Sequence, residues 1–312
     1  MLSRVSSGTL GLLCGMGAGA LWGLVFLAPE LARAFTPLQL TVGRYLAYGV
    51  ISGVLIAPRW KSLVAVITGR EWRALCWLAL TGNTLYYIFL SSAVQTGGIA
   101  MTSLVIGFLP VAVTLIGSRA HGAVPVVKLL PSLLLCAGGA VCIGWQALAV
   151  PAQSPVAQLV GLLCAVGALI SWTIYAVGNR HWLEKLGTVS AQDWNLLTGV
   201  VTGGQALLLI PIALVLDRTH HDVSAWMQFA SVSIGVAVVA SIIGNALWNR
   251  MSRLLPLTLV GQMILFETLF ALIYGFVWEQ RLPTVLEAAA FVLICAGVIS
   301  CISAHRTQVE PH

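Results

Sequence analysis

Long apolar runs separated by short polar breaks dominate this chain of 312 residues. No charged residue lies between Arg4 and Glu30, between Arg73 and Arg119, or between Lys128 and Arg180. A helix that crosses a bilayer needs about 20 apolar residues, so these gaps predict one, two and two crossings. The runs are longer than the alternating segments of about ten residues that build membrane β-barrels. They therefore predict helices rather than strands.

The breaks predict an all-α membrane protein with ten transmembrane helices. Prolines mark many of the predicted ends, among them Pro37, Pro125, Pro155 and Pro283. The first apolar run continues to Ala28, which is longer than the core of a cleaved signal peptide, so we expect helix one to be retained. The predicted helices span roughly residues 8–29, 37–57, 72–95, 98–118, 125–146, 156–179, 191–216, 228–251, 255–277 and 284–304.

Composition and charge support this interpretation and add a sidedness. Only 8% of the residues are charged and 59% are hydrophobic, which excludes a soluble globule and a disordered chain. Twelve Lys and Arg residues fall on one side of the predicted helices, whereas only Arg33, Arg218 and Arg281 fall on the other. The positive-inside rule then predicts that both termini are cytoplasmic. The net charge of +6 is a topology signal, and we expect no nucleic-acid partner.

Short motifs recur between residues 1–150 and 151–312, which predicts two related halves of five helices each. Gly11-Leu12-Leu13-Cys14 recurs as Gly161-Leu162-Leu163-Cys164, and Gly82-Asn83 recurs as Gly244-Asn245. An odd number of helices turns the second copy over in the membrane. Inverted repeats of this kind occur in transporters that bind substrate near the midplane between the halves. We therefore expect a central cavity, although a repeat that serves only stability stays open.

Glu267 is the sharpest candidate for a functional residue, because it is the one acidic residue near the middle of a predicted span. An ionisable group at that depth is costly and usually faces the protein interior or a water-filled cavity. Three roles are open: it could bind a substrate ammonium, exchange a proton, or hold helices together through hydrogen bonds.

Arg44 and Pro110 are candidates for gating or structural roles. Arg44 lies about 10 Å below the predicted outer end of helix two, at 1.5 Å per residue. Its long side chain could extend to the interface, so a structural or gating contact is favoured over binding of a substrate carboxylate. Pro110 interrupts helix four, and such interruptions often border cavities.

Asparagine and aromatic side chains provide further candidates for substrate binding. Asn83, Tyr86 and Tyr87 have the spacing of one helix face, and Asn245 with Trp248 repeats the pattern. An amide beside an aromatic plane suits a flat ring with a zwitterionic head, whereas hydrogen bonds between helices are the alternative.

Three more aromatic residues lie within predicted spans rather than at their ends. Trp22 and Trp172 form a repeat pair, and Tyr175 lies one helical turn beyond Trp172. Most membrane tryptophans lie at the interface, so these three are candidates for a cavity lining. Packing in the core remains an equal alternative.

The sequence contains none of the motifs that would indicate an enzyme or an ATP-driven pump. The seven Cys form no CxxC pair, and no phosphate-binding loop, nucleophile elbow or HExxH occurs. We expect no metal and no cofactor. Gly11, Gly15, Gly19 and Gly23 form a ridge that permits close helix approach. Packing within one chain is the favoured interpretation, so we expect a monomer, and a dimer stays open.

The chain resembles the drug/metabolite transporter superfamily, of the EamA-like type. The resemblance rests on the two halves, on Trp278-Glu279 before the last helix, on Arg44 in helix two and on Pro110 within Gly107-Phe108-Leu109-Pro110-Val111. The stretch from Gly82-Asn83 to Pro110, and Glu267 where most relatives have proline, resemble the YddG-type aromatic amino-acid exporters.

The resemblance implies a bacterial inner-membrane protein that exports aromatic amino acids and related metabolites through a central cavity by alternating access. An exporter of drugs or other metabolites with the same fold is the nearest alternative. A membrane enzyme or scaffold that uses Glu267 structurally is less favoured, because catalytic pairs are missing.

Overall fold

The structure, a computed structural model, describes residues 7–117, 126–149, 154–186, 189–217, 219–254 and 257–306, and the secondary structure in these ranges is helical without a strand. Pro125 therefore lies outside the described residues. Up to residue 149 the helices are α1 Ser7–Leu31, α2 Pro37–Ile56, α3 Trp60–Val66, α4 Gly69–Ala79, α5 Leu85–Ile106, α6 Leu109–Gly117 and α7 Val126–Ala149. After it they are α8 Pro155–Lys185, α9 Ala191–Leu216, α10 Val223–Val236, α11 Asn245–Leu254, α12 Leu257–Glu279 and α13 Val285–Arg306.

Two π-helical segments join shorter helices into long spans. Leu80–Thr84 connects α4 to α5, and Ala237–Gly244 connects α10 to α11. α5 contains a kink at Gly98, where φ is 83° and ψ is 166°, a conformation that glycine adopts without a steric cost. With these junctions the described residues form about ten helical spans, as the sequence predicts.

Several helices are long and apolar enough to cross a bilayer. Six ranges among the described residues meet that condition: Gly8–Leu31, Pro37–Val66, Gly69–Ile106, Pro155–Leu183, Ala191–Leu216 and Val223–Trp248. The shorter stretches Val127–Ile143 and Val285–Ser300 are apolar as well. The prediction of a helical membrane protein without a sheet is confirmed for the described part of the chain.

Capping residues explain where several helices begin. The Thr36 side chain accepts a hydrogen bond from the Gln39 amide, the Gln39 side chain accepts one from the Thr36 amide, and Pro37 occupies the first turn of α2. Ser154 and Ser190 cap α8 and α9 in a simpler way, each through its hydroxyl. These caps satisfy amides that a helix start would otherwise leave without a partner.

Glycines allow the helices to approach closely. A Cβ on Gly19 would lie 2.6 Å from Cβ of Phe266, and one on Gly23 would lie 2.9 Å from the Ala271 nitrogen. These contacts bring α1 onto α12, so this part of the predicted glycine ridge packs within one chain. In the same way, a Cβ on Gly49 of α2 would lie 2.6 Å from Cα of Gly203 in α9. α5 packs along α8, and α7 packs along α13.

Aromatic side chains close both ends of the bundle. At one end, called the Phe35 end, the Phe35 ring lies 4.2 Å from His221, 4.9 Å from Trp226 and 4.4 Å from Phe229 between ring centroids. At the opposite end, called the Trp194 end, the Trp194 indole stacks on Trp182 at 6.4 Å.

Candidate functional site

Arg44 extends from α2 into the interior of the bundle and is only 8% exposed. Its guanidinium carbon lies 4.4 Å from the centroid of the Tyr87 ring and 5.1 Å from that of Tyr45. Its Nη2 donates a long hydrogen bond of 3.4 Å to Ser241 Oγ, whereas Nε and Nη1 find no partner in the part of the chain that the structure describes. Unpaired donors on a buried charge are rare, because their desolvation is not repaid.

Glu267 lies in the middle of α12 and is 8% exposed. The glycine at position 19 lets α1 approach the backbone at this point, since a Cβ there would lie 2.9 Å from the Glu267 nitrogen. The carboxylate interacts electrostatically with Arg44 and Tyr86. Within the described part of the chain it makes neither a hydrogen bond nor a direct ion pair.

The aromatic residues around these two charges come from four different helices. Trp22 lies on α1, Tyr45 on α2, Tyr86 and Tyr87 on α5, and Trp248 on α11. The three tyrosines are at most 7% exposed. We call the following set the central cluster: Trp22, Arg44, Tyr45, Tyr86, Tyr87, Ser241, Trp248 and Glu267.

The second π segment joins the central cluster through Trp22. The Trp22 Nε1 group donates a hydrogen bond of 3.1 Å to the Ala240 carbonyl, and its ring lies 4.9 Å from that of Trp248. A π turn leaves a carbonyl without its usual helical partner, and such turns are frequent at functional sites. Gly244 makes room for this arrangement, since a Cβ there would lie 2.7 Å from Trp22 Nε1.

The first π segment is bound in a parallel way from the other half of the chain. The Ser171 hydroxyl on α8 donates a hydrogen bond of 2.7 Å to the Thr81 carbonyl. A Cβ on Gly82 would overlap the ring of Tyr175, and Tyr175 lies 5.8 Å from Trp172. Trp172 and Tyr175 therefore pack beside the first π segment, next to the central cluster.

The two asparagine candidates lie in different surroundings. Asn83 Nδ2 donates a hydrogen bond of 2.9 Å to Thr202 Oγ1 on α9, so its amide joins two helices. Asn245 Nδ2 donates to the Ser241 carbonyl at 2.9 Å and to Asn195 Oδ1 at 3.1 Å. The π segment Leu80–Thr84 includes Asn83 and ends before Tyr86 and Tyr87, so that the three residues do not lie on one regular α-helix. Their common role in substrate binding stays a prediction.

The sequence predicts that Pro110 interrupts helix four, whereas in the structure it lies near the start of a separate helix, α6. It is the second residue of α6, a position that tolerates a missing amide. The break falls at Gly107 and Phe108, and a Cβ on Gly107 would lie 3.3 Å from the side chain of Thr268. Thr268 follows Glu267, so the interruption packs directly beside the midpoint of α12.

Three residues of this region were missed by the sequence argument. Tyr45 and Tyr48 follow Arg44 on α2 by one and four residues, and this spacing could have indicated that they lie near it. Tyr48 donates hydrogen bonds from its hydroxyl to Asn195, at 2.9 Å to the carbonyl and 3.1 Å to Oδ1. Ser241 carries no sequence signal, because a single serine in an apolar helix is common.

The described side chains at the centre of the bundle are buried. Tyr45, Tyr87, Arg44 and Glu267 are all at most 8% exposed. A cavity of about 290 Å³ lies instead toward the Phe35 end, where its lining includes Gly98, Gln146, Glu279 and Arg281. Arg281 there pairs with Glu287 at 2.7 Å and with Glu279 at 2.5 Å.

Comparison with known proteins agrees with this architecture. The sequence profile of the EamA-like transporter family matches residues 9–145 and matches again at residues 159–303. The chain is 29% identical to inner membrane protein YtfF of Escherichia coli (strain K12), over 94% of this chain and 95% of that protein. A solved crystal structure superposes with a TM-score of 0.61 at 20% identity, covering 96% of this chain and 98% of the other.

The likeness to the crystal structure shows a shared fold. The family profile covers most of both halves and describes transporters, not enzymes. This multi-pass membrane protein therefore belongs to the EamA-like transporter family.

Proposed function

We propose that the protein is a secondary transporter that exports aromatic amino acids and related metabolites by alternating access. Its two halves, residues 1–150 and 151–312, would be inverted repeats. The central cluster, with Trp172 and Tyr175 beside it, would bind the substrate when the bundle opens. We assign it to a bacterial inner membrane, as a monomer with both termini in the cytoplasm and the Phe35 end outward.

The pattern of helix contacts supports the inverted repeat. α1 packs against α11 and α12, and α8 packs against α5 and α6. If residues 1–150 and 151–312 are exchanged, the contacts of α1 correspond to those of α8. In each case a side chain of α1 or α8 also donates a hydrogen bond to a carbonyl of the π segment in the other half, from Trp22 to Ala240 and from Ser171 to Thr81. Two related units that cross over each other fit a carrier with a site between its halves.

One observation carries the proposed site: Glu267 is buried at the midpoint of α12, close to Tyr86 and without a direct partner among the described residues. A carboxylate that served only to join helices would be expected to make hydrogen bonds. Its surroundings instead offer a negative charge for an ammonium and flat rings for an aromatic side chain.

Counterflow of labelled phenylalanine or tryptophan in proteoliposomes tests this function. We expect the wild-type protein to exchange these substrates, and Glu267→Gln to lower the initial rate at least tenfold because the substrate ammonium loses its counter-charge. Asn83→Ala is the matched control, since it removes a partly buried polar group that bonds to α9. Wild-type flux equal to that of empty liposomes across a broad panel of amino acids and drugs would contradict transport by this protein.

A further inference from the structure

We infer that Arg44 binds the carboxylate of the transported solute, so that the site selects zwitterions over amines. This inference rests on the proposed function and specifies the substrate class of the same site. It begins from the donors that the fold leaves unused. Arg44 is 8% exposed, and neither Nε nor Nη1 has a partner.

Those donors are suited to a carboxylate. A guanidinium presents its N–H groups in the plane of the group, in a fork that matches two carboxylate oxygens. The one bond that Arg44 makes, from Nη2 to Ser241 Oγ, is long at 3.4 Å. The buried cation therefore retains the capacity for a bidentate acceptor, and a bound carboxylate would satisfy it.

The neighbouring tyrosines hold the guanidinium through the faces of their rings. The Tyr87 and Tyr45 rings lie 4.4 and 5.1 Å from the guanidinium carbon. Attraction between a cation and a ring face stabilises the charge and fixes its position. Tyr87 also interacts with the guanidinium as a hydrogen-bonding group. Nε and Nη1 have no acceptor among the described residues and so remain available to a ligand.

Glu267 adds a negative group that favours an ammonium on the ligand. It interacts with Arg44 through space but forms no direct ion pair with it. The positive and the negative group therefore face one region from α2 and α12 and stay separate. A solute with an ammonium and a carboxylate would neutralise both, whereas an amine would leave Arg44 unpaired. A buried site that loses one hydrogen-bonded partner discriminates strongly against the deficient analogue.

Competition on the wild-type protein tests the inference without any variant. Labelled tryptophan is exchanged in proteoliposomes while unlabelled tryptophan, tryptophan amide or tryptamine competes. We expect the amide and tryptamine to inhibit at least tenfold more weakly than tryptophan, because neither has a carboxylate. Equal inhibition by all three would overturn the role of Arg44.

Variants then connect this discrimination to Arg44. We expect Arg44→Gln to lower kcat/KM for tryptophan at least tenfold while tryptamine transport changes less than threefold, and Arg44→Lys to recover part of the loss. A variant that loses both substrates equally, yet keeps the wild-type melting temperature, would overturn the inference. Should the wild-type protein exchange neither phenylalanine nor tryptophan, the proposed function itself fails. Should it exchange tryptophan and tryptamine equally well, only the inference about Arg44 fails.

Discussion

The two π-helical segments, Leu80–Thr84 and Ala237–Gly244, resemble each other, yet their surroundings differ. In each, a hydrogen bond from the first helix of the other half reaches a carbonyl, at Thr81 in one case and at Ala240 in the other. Each also contains or ends at a glycine that accommodates an aromatic ring, Gly82 beside Tyr175 and Gly244 beside Trp22.

The two π segments differ in the polar groups that surround them. Around Leu80–Thr84 the side chains of Asn83 and Thr84 bond to neutral groups of α9, at 2.9 and 2.7 Å. Around Ala237–Gly244, Ser241 instead accepts from Arg44, which lies close to Glu267. Alignment of Gly82 with Gly244 places Ala79 opposite Ser241, so the first copy lacks the hydroxyl.

This difference indicates how duplication and function are related in this protein. The shared features shape the backbone and position a helix against its neighbour. The charged partners occur beside one copy only. We therefore expect substitutions in the first segment to affect mainly stability, and substitutions in the second to affect stability and transport together.

The largest expected effect comes from filling the two glycine sites. Gly82→Ala should lower the free energy of unfolding by about 2–3 kcal/mol, and Gly244→Ala by about 1 kcal/mol, within the usual cost of overpacking. The loss is greater at Gly82 because the new methyl would overlap the base of the Tyr175 ring, whereas at Gly244 it meets the indole edge of Trp22.

Thermal unfolding in detergent measures both changes. Gly204→Ala and Gly235→Ala are the controls, because a Cβ at either position meets nothing within 4 Å. An alanine there should be neutral or stabilising, by up to about 1 kcal/mol from helix propensity. Equal melting temperatures for Gly82→Ala and Gly204→Ala would refute the close packing of the first segment.

The next largest effect is expected for the side chains that donate hydrogen bonds to carbonyls of the two π segments. Trp22→Phe should destabilise by about 1–2 kcal/mol, because it leaves the Ala240 carbonyl without a partner. Ser171→Ala should cost about 1 kcal/mol at Thr81 for the same reason. Only Trp22→Phe should also raise the KM for tryptophan, since Trp22 belongs to the central cluster. Loss of transport in Ser171→Ala at unchanged stability would reverse the comparison.

A smaller effect is expected at the group that distinguishes the two segments. Ser241→Ala removes the acceptor for Arg44 Nη2 and should raise the KM for tryptophan about two- to fivefold, as expected for one weak hydrogen bond. Ser231→Ala on the same span is the control, because its exposed hydroxyl bonds to the Met227 carbonyl. Initial-rate measurements over a range of tryptophan concentrations separate KM from kcat, and a change confined to kcat would disagree with substrate positioning.

The smallest effect belongs to Asn83→Ala. Hydrogen bonds between membrane helices contribute about 0.6 kcal/mol on average, so the variant should lose about that much stability through its bond to Thr202. Its KM for tryptophan should equal that of the wild type. A clear rise in KM would contradict this prediction and indicate that Asn83 contacts the substrate.

The helical architecture could be predicted from the sequence to a large extent. Bilayer thickness sets the length of an apolar run, so the charge-free stretches indicated where α1, α5 and α8 would form. The glycines at 15, 19 and 23 indicated a close helix contact, and their packing on α12 agrees with that prediction. Pro110 was less well described, because the pattern could not show that α5 ends at Ile106 and that α6 begins at Leu109.

The candidate site was predictable only in part. Glu267 and Arg44 stood out because charge inside a span is costly, and both are buried in the structure. Asn83 was grouped with Tyr86 and Tyr87 on the assumption of 3.6 residues per turn, and the π segment changes that register. Tyr45 and Ser241 were not named, because neither residue type is unusual in a membrane helix.

The sequence alone therefore determined the helices and their order, because apolar length is a property of the chain itself. Tertiary structure decided which side chains meet. The approach of Arg44 to Tyr87, and of Trp22 to Ala240, depends on helix rotation and on local π turns. Close packing between helices sets those rotations, and no linear pattern in one helix records the shape of its neighbour.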